Sequence, residues 1–171
     1  MTTRMMILVM MVLGAAFSRL IPHPWNFTAI GAMALFGGAH FSKRMSLVIP
    51  MAALFLSDLV LGLHSTMLYV YLGFAVIVVM GWNLTEKKSV ARIAGLSLAA
   101  SSVFFLVSNF GVWAMDGMYS QNFEGLVSCY VAAIPFFGNQ VAGDLFFSGV
   151  MFGAYELLKK YSPQTLGAKI A

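Results

Sequence analysis

Asp58 and Asp144 lie inside stretches otherwise apolar enough to cross a membrane, and Arg19, His23, Asn26, His64, Asn109 and Gln140 fall toward the same end of their own stretches. An ionised carboxylate in such a setting costs roughly 2.5–3.5 kcal/mol on insertion scales and needs a partner, a proton or water, so an intramembrane Asp is first a functional candidate. The chemistry these residue types offer is recognition. Carboxylates and side-chain amides hydrogen-bond a polar molecule, and Arg19 is the one cation at that end. Motifs for reaction chemistry are missing from the sequence. There is no His-Glu-x-x-His pair, no Gly-x-Ser-x-Gly elbow and no glycine-rich phosphate loop, which leaves nothing to assign to zinc hydrolysis, acyl transfer or ATP binding. Two carboxylates on separate segments are too little for an aspartyl dyad, so the chain is read as a binding protein rather than an enzyme, with no metal and no cofactor.

Helical spacing turns part of this set into a surface. Gln140, Asp144 and Ser148 recur at i, i+4 and i+8 and form one stripe. Ser101 and Ser108, and likewise Ser102 and Asn109, repeat at seven. If these stripes face inward with Asp58, the bundle holds a polar cup. The breaks at 22–24 and 135–139 would supply free carbonyls and amides at its rim, because irregular backbone is tolerated at membrane depth where it lines a cavity. The bland readings are specific too: Asp58 or Asp144 pairs with Arg19 or caps a neighbouring helix, the serines let helices approach closely, and Cys129 is a small buried hydrophobe.

The elements that must carry these residues follow from composition. With 60% hydrophobic and 9% charged residues, thirteen Met and fifteen Phe in 171 residues, no soluble domain could keep so much apolar surface from water. The apolar stretches are helix-length, so an all-α integral membrane bundle is expected rather than a barrel. Six spans are read, at about residues 5–20, 27–41, 47–63, 67–82, 90–113 and 140–158, in one transmembrane domain covering 1–171. Proline ends the first span and sets the break before the last. Residues 126–134 are apolar but far short of the roughly 20 needed to span, so 114–135 is expected to form an outer lid with a short non-spanning helix. With both ends inside, Arg4, Lys43, Arg44, Lys87, Lys88, Arg92, Lys159, Lys160 and Lys169 are cytoplasmic and Arg19 alone is outside, as the positive-inside rule requires. That rule also accounts for the net charge of +4 without a nucleic-acid partner.

Three stretches carry a resemblance. Residues 22–32 (PHPWNFTAIGA), 55–64 (FLSDLVLGLH) and 135–144 (PFFGNQVAGD) look like a bacterial six-span family that resembles the S-components of energy-coupling factor (ECF) vitamin transporters. The resemblance implies uptake across the bacterial cytoplasmic membrane, with a small vitamin or cofactor-like solute captured in an outward cup. It also implies docking on a coupling module of a transmembrane subunit and two ATPases. The Ala-xxx-Ala docking motif of those proteins is replaced in the first span by Gly14-xxx-Ser18. Arg19, His23, Asn26, Asp58, His64, Asn109, Gln140 and Asp144 are the expected solute contacts. Two other readings compete: an assembly protein whose outer polar face binds a partner protein, and a small proton-coupled carrier.

Overall fold

The computed structural model describes residues 2–86 and 88–161; Lys87 and Lys169, counted above among the cytoplasmic cations, lie outside the described residues. The described residues form helices joined by turns, with no strand. The helices are α1 (Thr3–Phe17), α2 (Ile30–His40), α3 (Lys43–Leu61), α4 (Met67–Gly81), α5 (Val90–Met115) and α6 (Phe123–Tyr161), with 3₁₀ turns at Ser18–Leu20 and Trp82–Leu84. Five of them are long and apolar enough to cross a membrane, α1 and α4 each counted with its 3₁₀ turn. The exception is α2.

This helix is the centre of the molecule. All eleven residues of α2 are buried, and at 1.5 Å per residue it is about 16 Å long, half of a hydrocarbon core. The span expected at 27–41 is therefore helical only over Ile30–His40, with irregular chain at 21–29 before it. Small residues make this burial possible. A Cβ on Gly38 would run into the Val78 carbonyl and Gly81, one on Gly37 into Pro50, and one on Gly31 into the Asp144 carboxylate. The backbones of α2 and α4 thus meet at glycine on both sides, where close approach replaces the hydrophobic drive that lipid does not provide. Around this contact Met33, Leu35, Phe36, Leu54, Phe74, Ile77 and Val78 make a core with no exposed surface.

Two expectations are corrected here. The break expected at 135–139 is absent, because α6 runs unbroken through Pro135 for 39 residues. The separate outer helix over part of 114–135 is absent with it: its apolar residues 126–134 are the opening turns of α6. Proline deprives one carbonyl of its bond, but unwinding five residues beside lipid would orphan many more, so the helix absorbs the single defect. At about 58 Å, α6 exceeds the ~30 Å hydrocarbon core, so it extends beyond the core or runs steeply inclined.

The cations collect at one end. Arg4 opens α1 and its Nε donates to the Tyr155 hydroxyl near the end of α6 at 3.0 Å. Lys43 at the start of α3 sits over the Trp82 ring at the end of α4. Arg19 is at the other end of α1, in its 3₁₀ turn. Replacing Gly38 by Val should overpack the α2–α4 contact and destabilise the protein by at least about 1–3 kcal/mol, measured as thermal unfolding in detergent. Gly95→Ala, with nothing within 4 Å of the added carbon, should cost nothing; equal losses would show that the glycine contact does not govern the packing.

Candidate functional site

The site begins with an uncapped helix. The first N–H groups of any helix lack internal partners, and a Ser, Thr, Asp or Asn at the N-cap normally answers those at the second and third positions. The N-cap of α2 is Ala29, which has no side-chain acceptor. The answer comes from α6: the backbone amides of Gly31 and Ala32 donate to the Asp144 carboxylate. Ser101 of α5 adds a third donor, its hydroxyl lying 2.6 Å from Asp144 Oδ2. Asp144 is only 4% exposed, and the donors and the positive end of the α2 dipole around it offset part of what burial costs its charge. The absence of a side chain on Gly31 leaves the room the carboxylate needs.

The irregular chain before α2 is fastened to the same helix. Asn139 Nδ2 donates to the Trp25 carbonyl at 3.1 Å, and Gly143, one turn on, lies against the backbone of Phe27 and Thr28. Phe27 packs on Phe146 and Phe147 with centroids 5.9 and 5.7 Å apart. Asn26 takes φ 60°, the only non-glycine at positive φ among the described residues, a conformation Asn tolerates better than most. Beside the chain so held, a cavity of about 450 Å³ lies between the 3₁₀ turn after α1, α2, the end of α3, α4, α5 and α6.

Of the eight expected contacts, Arg19, His23, Asn26, Asn109, Gln140 and Asp144 line this cavity. Asp58 and His64 lie outside its lining. Asp58 is 1% exposed and faces Arg19, whose Nη1 lies 2.6 Å from its Oδ1, while the Tyr71 hydroxyl donates to Oδ2 at 2.8 Å. Arg19 also donates to the Ser57 hydroxyl at 2.6 Å. A carboxylate with a guanidinium and a phenol on its two oxygens is spent on structure. His64 sits exposed in the turn after Gly62, with its ring nitrogen 2.8 Å from the Thr66 hydroxyl; the neighbouring Ser65 hydroxyl donates to Asp116. Thr66 reaches the cavity instead, as do Thr28 and Ser108.

The stripe on α6 divides along its length. Gln140 Nε2 donates to the Ser101 carbonyl at 2.8 Å, Asp144 meets the Ser101 hydroxyl, and Ser148 accepts from Ser97 at 2.8 Å. Gln140 and Asp144 face the cavity and Ser148 closes the α5–α6 seam, the packing role expected of hydroxyl residues. Cys129 is part of the same seam, its thiol donating to the Asn109 carbonyl at 3.4 Å. Sequence reasoning missed Thr66 in the cavity lining and Tyr71 as a donor to Asp58; no spacing rule marks such a lone polar residue. It offered helix capping as one reading of Asp144 but could not name α2, although Ala29 at an uncapped N-terminus was the available signal.

A family model described as a family of unknown function (DUF6580) matches residues 1–165, and the chain belongs to that family. No curated protein and no solved structure matches it.

Two outcomes test this geometry. Asp144→Ala should destabilise the fold by about 2–4 kcal/mol, since three buried donors lose a charged acceptor, and Ala29→Ser in that background should restore about 1 kcal/mol by capping α2 locally. Arg19→Met should cost about 3–5 kcal/mol by stranding Asp58, whereas Arg19→Met with Asp58→Leu should recover most of the loss. Thermal unfolding of each purified variant in one detergent reads both. No rescue by Ala29→Ser would remove the capping role.

Proposed function

We propose that this DUF6580 member captures a small polar solute from outside the cell and is the binding subunit of an uptake system in the bacterial cytoplasmic membrane. The observation that carries this reading is the 450 Å³ cavity lined by Asn109, Gln140, Asp144 and the non-helical chain at 21–29. Its size falls in the range of small-molecule sites. Non-helical backbone at membrane depth is tolerated where it lines such a space.

Orientation follows from charge. Arg4, Lys43, Arg44, Lys88, Arg92, Lys159 and Lys160 sit at helix ends on the side away from the cavity mouth, where Arg19 is the lone cation. The positive-inside rule then puts both ends of the chain in the cytoplasm and opens the cup outward. In this arrangement the chain makes six crossings, the second built from the irregular segment 21–29 and the half-helix α2.

Uptake needs energy, and the sequence holds no phosphate-binding loop. We therefore assign the driving force to a partner module of a transmembrane subunit and ATPases, as in the S-components the sequence resembles. Asn109 and Gln140 are the principal solute contacts and Asp144 the floor; Arg19, held by Asp58, shapes the rim with His23 and Asn26.

A thermal-shift screen of the detergent-purified chain against vitamins, their precursors and metal chelates tests the reading. A true ligand at a hundred times its Kd should stabilise the fold by about 2.7 kcal/mol. Asn109→Leu and Gln140→Leu should abolish that rise while leaving the unliganded protein folded. A membrane protein that co-purifies at fixed stoichiometry, with no solute shifting the melt, would favour the assembly role instead.

A further inference from the structure

Away from the cup, at the end where the cations collect, a groove of about 330 Å³ runs between the first turns of α5 and the later turns of α6. Nothing about it depends on the capture of a solute. Its sides are Val90, Ile93, Ala94, Leu145 and Phe152, and the Ser97–Ser148 hydrogen bond at 2.8 Å joins its two walls. Glycine keeps it empty. Gly149 and Gly153, one turn apart, both line it, and a Cβ added to either would meet nothing within 4 Å. From Leu145 to Glu156 the groove follows α6 for about 16 Å, half of the ~30 Å hydrocarbon core and so the depth of one leaflet.

What sets this groove apart is its charged end. Half-buried Lys88 lines it there beside Glu156, and Glu156 is taken by Lys159, whose Nζ lies 3.5 Å away. Lys88 Nζ donates to the Thr85 carbonyl at 3.2 Å, and among the described residues no carboxylate pairs with it. Burial holds that ammonium below its ordinary value; Glu156 opposes the shift, and Lys159 and Arg4 deepen it. A cation partly out of water thus stands near two others without an anion of its own. Lys88 also lines a polar cavity of about 680 Å³ with Arg4, His40, Ser42, Thr85 and Glu86. The apolar groove and the polar space meet at one ammonium.

We infer that this groove holds a membrane phospholipid, with one acyl chain lying along Gly149 and Gly153 and the phosphodiester against Lys88. The chain covers the apolar walls, the phosphate supplies the anion that Lys88 lacks, and the rest of the headgroup has the polar cavity to enter. Basic pockets between membrane helices on the cytoplasmic side take lipid headgroups in this way. A second helix is the competing occupant, because small residues four apart are also a helix-packing surface. Such a helix would cover Lys88 and strip more water from an unpaired charge. A phospholipid brings the counter-charge with it.

Native mass spectrometry of the delipidated, detergent-purified chain reads the occupant when dioleoylphosphatidylglycerol, dioleoylglycerol or inorganic phosphate is titrated in. The phospholipid should bind at least about fivefold more tightly than dioleoylglycerol, the worth of one basic residue at a lipid surface, and phosphate should not bind over the same concentrations. Lys88→Gln should bring the two lipids level. Gly149→Leu and Gly153→Leu, each filling the groove, should remove the phospholipid. Gly95→Leu, at an open glycine outside the groove, should leave it bound, and melting temperatures near that of the unaltered chain should show all three leucine variants folded. Equal affinity for the two lipids in the unaltered chain, binding of phosphate alone, or phospholipid retained by both groove-filling variants would each overturn the inference. So would a two-chain particle that binds no phospholipid and falls to one chain in Gly149→Leu and Gly153→Leu, which would assign the groove to a second copy.

Discussion

A helix whose N-cap carries no acceptor must find one elsewhere for its first amides, and in this protein Asp144 supplies it to α2 from across the bundle. Much of the architecture answers to that requirement. Gly31 is small where the carboxylate arrives, Ser101 stands behind it, and Gly143 lets the chain at 27–28 lie flat against α6. The chain before the eleven residues of α2 is irregular backbone, and its His23, Asn26 and Thr28 line the cavity. Irregular backbone is tolerated at membrane depth where it lines such a space. The capped half-helix and the cavity are two sides of one solution.

The two buried aspartates divide the electrostatics between them. Asp58 is consumed by Arg19 and Tyr71, which ties the 3₁₀ turn after α1 to α3 and α4 and leaves the rim close to neutral. Asp144 faces amide dipoles and a hydroxyl rather than a full cation. Two aspartates of similar burial thus produce one closed ion pair and one carboxylate on a cavity wall, and the difference lies in which helix each one faces. Close charge pairs in low-dielectric surroundings are strong and costly to break, so Asp58 is poorly suited to exchange partners with a solute.

Sequence patterns carried the outer features of this picture well. Composition and segment length indicated an all-helical chain with helices fit to cross a membrane, and the i, i+4, i+8 stripe put Gln140 and Asp144 on one face. Six of the eight expected contacts line one cavity. Local rules failed at Pro135 because they treat proline as a breaker in water, where freed backbone groups find solvent. Beside lipid the balance reverses, and α6 continues. Asp58 and His64 lie outside the cavity lining, a placement that depth alone could not give because it does not say which way a side chain turns.

The sequence by itself determined what depends on solvent preference and helical period: the class of fold, the approximate extent of the long helices, the crowding of cations toward certain helix ends, and the stripe on α6. These are properties of single segments, and they survive whatever the segments pack against. Only the tertiary structure decided that α2 starts at Ile30 and is capped by Asp144, that Arg19 closes on Asp58, and that α5 carbonyls hold the amides of Asn109 and Gln140. Each of those depends on a partner far away in the chain. Hydrogen bonds are directional, so a residue's role follows from the group it faces rather than from its type.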